Sequence, residues 1–157
     1  MIVVRNAVPG DAERIADIRV TGWRESYAHL LSAEFLAGIQ SDPERIRSSI
    51  ESGTPVVVAE LDGDVVGFAC ASTPLEGELD PPRDLQLWFI YQFARAHGSG
   101  TGQLMLDAVI GDQPAYLWTA EGNERAQAFY RRNGFVADGA RKVEPAWENL
   151  AEIRMVR

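Results

Sequence analysis

Hydrophobic positions along the chain switch between two periods, and the switches mark out the elements. IVVRNA (Ile2 to Ala7) predicts a short strand. Pro9-Gly10-Asp11 then opens a helical pattern, with Asp11 placed as N-cap and Ile15, Ile18 and Trp23 toward the inner side. Ser32 and Asp42 stand as caps before two shorter helices, and Pro43 suits the first helical position. TPVVVAE and VVGFACAS flank LDGD, and an Asp-Gly between two such apolar runs predicts a hairpin.

The polar, proline-rich EGELDPPRD (Glu76 to Asp84) reads as a loop that can flank an active site. LQLWFIYQF (Leu85 to Phe93) reads as a buried strand, followed by the loop HGSGTG (His97 to Gly102) and a helix, TGQLMLDAVI. AYLWTA is a further strand, and NERAQAFYRRNGF is a helix stopped by Asn133-Gly134. FVADGARKV and AEIRMVR close the chain as strands. The order predicts a mixed α/β fold, with residues 1–157 as a single domain.

Composition narrows the function classes. No apolar stretch approaches the roughly 20 residues that span a bilayer. The opening MIVVRNAVPGD lacks the basic and apolar regions of a secretory signal, so a cytoplasmic location is expected. Cys70 is the only cysteine, which excludes an intrachain disulfide, and within VVGFACA it reads as a buried thiol rather than a nucleophile. His29 and His97 are the only histidines, too few for a metal site without cysteine pairs. A net charge of −8 argues against nucleic acid as a partner.

The glycines of HGSGTG alternate between a strand and a helix N-terminus, where main-chain N–H groups and the helix dipole suit an anion. A Walker loop needs a lysine after its last glycine, and here Gln103 follows Gly102. The dinucleotide fingerprint needs a different glycine spacing and an earlier place in the chain. The pyrophosphate of coenzyme A and a plain flexible connection remain. In the later helix, Asn123 and Tyr130 lie seven residues apart and share a face, with Ala126 between them. A small residue between two polar ones makes a groove suited to an extended cofactor arm.

IYQFARAHGSGTGQLML resembles the acyl-coenzyme A loop of the GCN5-related N-acetyltransferase (GNAT) superfamily, and NERAQAFYRRNGF resembles its second signature. RNAVPGDAERIADI, WRESY, the hairpin and EIRMVR are also similar to small bacterial members. The resemblance implies a twisted mixed sheet, splayed open in the middle, with helices on both faces. It implies that main-chain groups of Ile90, Tyr91 and Gln92 bind the pantetheine arm of acetyl-CoA. By the same resemblance Gly98, Ser99, Gly100, Thr101, Gly102 and Gln103 wrap the pyrophosphate, and Asn123 hydrogen-bonds the arm. Tyr130 is the implied general acid for the departing thiolate.

Three positions depart from the family pattern: Ala94, His97 and, most consequentially, Gln86, where many relatives carry a glutamate that takes the amine's proton. An amide cannot act as a base. Glu25 and Glu121 are the substitutes to test. Trp23 and Tyr27, one helical turn apart, would line an acceptor cleft with Gln86, Trp88 and Trp118, since aromatic walls suit alkyl or cationic parts of an amine. WRESY followed by LLSAEFLAGI is similar to the corresponding region of polyamine acetyltransferases, a region many other relatives share.

The resemblance therefore implies direct transfer of an acetyl group to a primary amine of a small molecule or peptide. The contrasting expectation is a non-catalytic acyl-CoA-binding or sensing module, which Gln86 favours. Terminal strands of such a fold offer pairing edges that would suit a homodimer.

Overall fold

Seven strands form one mixed sheet in the order β1-β2-β3-β4-β5-β7-β6, in a computed structural model that describes residues 1–157. The elements run β1 (Ile2–Asn6), α1 (Ala12–Ser26), α2 (Ala33–Gly38), α3 (Pro43–Glu51), β2 (Val56–Leu61), β3 (Asp64–Ser72) and β4 (Gln86–Gln92). Then come α4 (Thr101–Val109), β5 (Tyr116–Ala120), α5 (Glu124–Arg132), β6 (Val136–Glu144) and β7 (Leu150–Val156). The hairpin forms at Asp62-Gly63, both with positive φ, and sets β2 antiparallel to β3.

Antiparallel ladders hold each half of the sheet, β1 to β4 on one side and β5, β7 and β6 on the other. The halves meet only where β4 and β5 run parallel, and there the register holds a single pair, Gln86 opposite Tyr116. Beyond it the strands part. β4 also carries a bulge: Cys70 of β3 faces Phe89 and Ala71 faces Leu87, which leaves Trp88 as the extra residue.

Helices cover both faces. Ile15 and Ile18 of α1 pack on Val56, Val58, Val66 and Phe68, with Ile46 and Ile50 of α3 alongside. Met105 of α4 packs on the opposite side of the same strands, against Val57, Ala59 and Ala69. Leu106 of α4 and Tyr130 of α5 join Leu117, Phe135 and Met155 under the second half of the sheet. The last turn of α1 bridges the halves, because Trp23 packs with Leu31, Leu36, Ala120 and Leu150.

Ser32 and Asp42 cap α2 and α3 as expected, accepting from the N–H groups of Phe35 and Arg45. Asp11 does not cap through its side chain. A 3₁₀ turn at Pro9–Asp11 turns that carboxylate back to β1, where it accepts from both Arg5 guanidinium nitrogens at 2.8 and 3.0 Å and from the Val8 N–H. Asp11 is 8% exposed, and Arg5 holds its carboxyl below the usual carboxylate range despite burial.

Asp11→Asn should therefore cost about 1–3 kcal/mol at pH 7. A depressed folded-state pKa stabilises above the unfolded value of about 3.9 and stops doing so as pH falls through the lower folded value. Urea denaturation of both proteins should show the gap narrowing between pH 7 and pH 3. A gap that stays constant would mean the charge contributes nothing.

Candidate active site

Where β4 and β5 part, a cleft of about 400 Å³ opens between them. Its β4 wall is an unpaired strand edge. The Phe93 N–H donates to the Val66 carbonyl of β3, so strand alternation turns the main-chain groups of Ile90 and Gln92 to the open edge and those of Tyr91 toward β3. Tyr91 instead contributes its side chain, whose hydroxyl accepts from Trp23 Nε1 at 3.0 Å.

The glycine loop closes one end. Gly98 and Gly100 have φ of 79° and 99°, a region that favours glycine, and no atom lies within 4 Å of where a Gly98 side chain would begin. No protein acceptor meets the N–H groups of Gly98, Gly100, Gly102 and Gln103. Ser99 and Thr101 serve the loop from inside: Ser99 Oγ donates to the Ala96 carbonyl at 2.6 Å, and buried Thr101 donates to Gln92 Oε1 at 2.7 Å. The Gln103 side chain turns to Asp107 and Asn133. Loop and strand are thus tied together, and a concave set of free donors results. Arg125 and Arg132 of α5 add positive charge to the same cleft. His97 lines it as well, its pKa lowered by burial and by Arg125.

On α5, Asn123 is a helix cap, its Oδ1 accepting from the Ala126 N–H at 3.2 Å, and only its amide nitrogen is left for a ligand. Tyr130 is 8% exposed, lines the cleft, and burial raises its pKa. Every enclosed polar side-chain atom in the protein has a partner. The Tyr130 hydroxyl has none within the protein, so it must open onto the cleft. No group of three His, Cys, Asp or Glu side chains is placed to hold a metal.

The α1 face of the cleft departs from several sequence expectations. Trp23 is core, 5% exposed, and acts by fixing Tyr91. Glu25 spends its carboxylate on the Ala94 N–H at 2.7 Å, and Glu121 is an exposed partner of Arg141. Both Glu121 oxygens accept from Arg141, while Glu25 keeps Oε1 unpartnered. Tyr27, Trp88 and Trp118 do line the cleft. Gln86 is 3% exposed and fully engaged at the strand apex: Oε1 accepts from the Leu75 N–H at 2.9 Å and the Tyr116 hydroxyl at 3.2 Å, while Nε2 donates to Glu78 at 3.2 Å. Trp118 Nε1 donates to the other Glu78 oxygen at 3.1 Å.

Sequence reasoning missed Glu78, Arg125 and Arg132. The arginines were within reach, since they repeat the seven-residue spacing of Asn123 and Tyr130 on the same helix. Glu78 carries no local signal, because only the fold brings it to Trp118.

Residues 14–135 match the model of the acetyltransferase (GNAT) family. A probable N-acetyltransferase of Mycobacterium tuberculosis is 26% identical over 146 residues, 88% of this chain and 82% of the relative. An uncharacterized N-acetyltransferase of Mycobacterium bovis is 30% identical over 136 residues, 83% of this chain and 77% of its own. Among solved structures, PaiA N-acetyltransferase of Thermoplasma acidophilum in complex with coenzyme A superposes with a TM-score of 0.74 at 16% identity, covering 100% of this chain and 98% of that one. Ribosomal-protein-alanine N-acetyltransferase of Brucella melitensis superposes with a TM-score of 0.73 at 24% identity, covering 99% of this chain and 98% of that one. These two share the fold.

Cys70 is fully buried, and burial pushes its thiol up to about 12. It should react with a disulfide reagent at least ~10²-fold more slowly in the native protein than after denaturation, because only the thiolate attacks and it must be reachable. Native-state labelling at the denatured rate would return Cys70 to the candidate nucleophiles.

Proposed function

The chain belongs to the GNAT acetyltransferase family, and from that premise we infer that it transfers an acetyl group from acetyl-CoA directly to a primary amine of a small molecule or peptide. The observation that carries this reading is one cleft that combines free loop donors, an unpaired strand edge and the unpartnered hydroxyl of Tyr130. Acetyl-CoA supplies a thioester, with an electrophilic carbonyl carbon and a thiolate leaving group.

Each of these parts suits one portion of that molecule. The N–H groups of Gly98, Gly100, Gly102 and Gln103 suit pyrophosphate oxygens, with Arg125 and Arg132 adding charge. The open edge at Ile90 and Gln92 suits the amides of an extended arm, as an added strand would. An N–H on that edge would polarise the thioester carbonyl, the office of an oxyanion hole.

Tyr130 faces the departing sulfur in this reading. Burial raises the phenol above its ordinary value of about 10, while a thiol lies near 8.5, so Tyr130 stays protonated and acts by donating a hydrogen bond to the developing thiolate. No acyl-enzyme is needed, since Cys70 is buried and protonated. A non-catalytic binding module was favoured only by the amide at position 86. That amide is accounted for by its place at the strand apex.

Calorimetry should give saturable one-site binding of acetyl-CoA and coenzyme A, and none of NAD or ATP. Lack of acetyl-CoA binding would overturn the proposal. Tyr130→Phe should lower kcat by roughly 10²-fold, the usual size for one donor to developing charge, with acetyl-CoA affinity nearly unchanged. Equal turnover in the variant would remove Tyr130 from the chemistry.

A further inference from the structure

The loop and α5 supply positive charge and donors from one side of the sheet, and two carboxylates stand on the other. They differ in one respect. Both oxygens of Glu78 already accept, from Gln86 Nε2 and Trp118 Nε1. Glu152 of β7 makes no hydrogen bond and no ion pair, although it is half-buried. It lies opposite Ala120, at the end of β5 where the sheet has opened. Its neighbours along the same face are Leu150, packed with Trp23, and Arg154, whose guanidinium lies 5.7 Å from the Trp118 ring centre.

An alkylammonium already rests on this face. Lys142, the only lysine of the chain, pairs across the strands with Glu152 and holds its Nζ 4.4 Å from the Trp118 ring centre. The face of Trp118 thus holds a primary ammonium group, from the residue in register with Glu152, as an aromatic quadrupole should. Building on the acyl-CoA reading above, we propose that Glu152 is the proton acceptor for a primary alkylamine that enters as its ammonium along Trp118, doing the work that an amide at position 86 cannot.

The step balances. One N–H proton of the ammonium passes to the Glu152 carboxylate, and the freed lone pair forms a bond to the thioester carbonyl carbon. The C–S bond breaks, its electron pair leaves on sulfur, and the thiolate takes up a proton. The second proton lost from nitrogen reaches the thiolate through solvent and Glu152 returns its own to solvent, so an ammonium and a thioester become an amide, a thiol and one proton.

The surroundings suit a base. Glu152 lies within electrostatic reach of Tyr27 just past α1, Tyr91 of β4, Glu78 of the loop before β4, and Lys142 and Glu144 of β6. Burial raises its pKa, Glu144 and Glu78 raise it further, and Lys142 pulls it down. Tyr27, Tyr91 and Tyr130 all line the same cleft.

The test measures thiol release from acetyl-CoA at pH 7 with n-butylamine, 2-phenylethylamine and lysine amide, and separately with the weakly basic 2,2,2-trifluoroethylamine. Glu152→Gln should lower kcat/KM for the first three by about 10²-fold or more, the range of one positioned base. The deficit should shrink as pH rises, and it should be within a few-fold for trifluoroethylamine, which arrives unprotonated. A merely structural role would depress all four amines equally at every pH, and that result overturns the proposal. So does full activity of Glu152→Gln beside loss in Glu78→Gln, or a wild-type enzyme inert toward every alkylamine. Calorimetric acetyl-CoA affinity of the wild type tests the cofactor reading independently.

Discussion

The single register pair between Gln86 and Tyr116 is the constraint on which the rest of the site depends. Two parallel strands inside a sheet would ordinarily pair along their length and bury both edges. Here the Gln86 amide pins the apex by accepting from Leu75 and Tyr116 and donating to Glu78, and the strands diverge immediately beyond it. The Trp88 bulge sits just past the pin, where an extra residue bends the strand and strengthens its twist. An unpaired edge normally invites aggregation. In this fold it is sunk in the cleft between the end of α1 and α5.

The divergence also separates charge. Backbone donors, Arg125 and Arg132 gather around the loop and α5, while Glu78 and Glu152 stand toward α1 and β7 with Lys142 and Arg154. The net charge of −8 does not reveal this, because the sum hides the separation.

Much of the fold was legible because its signals are local. The Asp-Gly hairpin, the Ser32 and Asp42 caps and the glycines of the loop each need only a few neighbouring residues to be read. Long-range pairing defeated the rest. Asp11 looks like a cap until Arg5 of β1 claims its carboxylate. Trp23 looks like a cleft wall until Leu31, Leu36 and Leu150 close over it. Glu25 and Glu121 look free until Ala94 and Arg141 occupy them.

Gln86 shows how a missing base and a relocated one are connected. A glutamate at that buried position would stand against Glu78, and two like charges at hydrogen-bond distance raise the pKa of one of them. With an amide there, the donor Nε2 stabilises Glu78 as an anion, and Trp118 Nε1 does the same from the other side. Both oxygens of Glu78 are thereby engaged. Basicity then belongs to the carboxylate that lacks such donors, and along this face that is Glu152. The amide at the apex and the unpartnered acid on β7 are two consequences of one arrangement: the residue that holds the sheet open cannot also carry the proton.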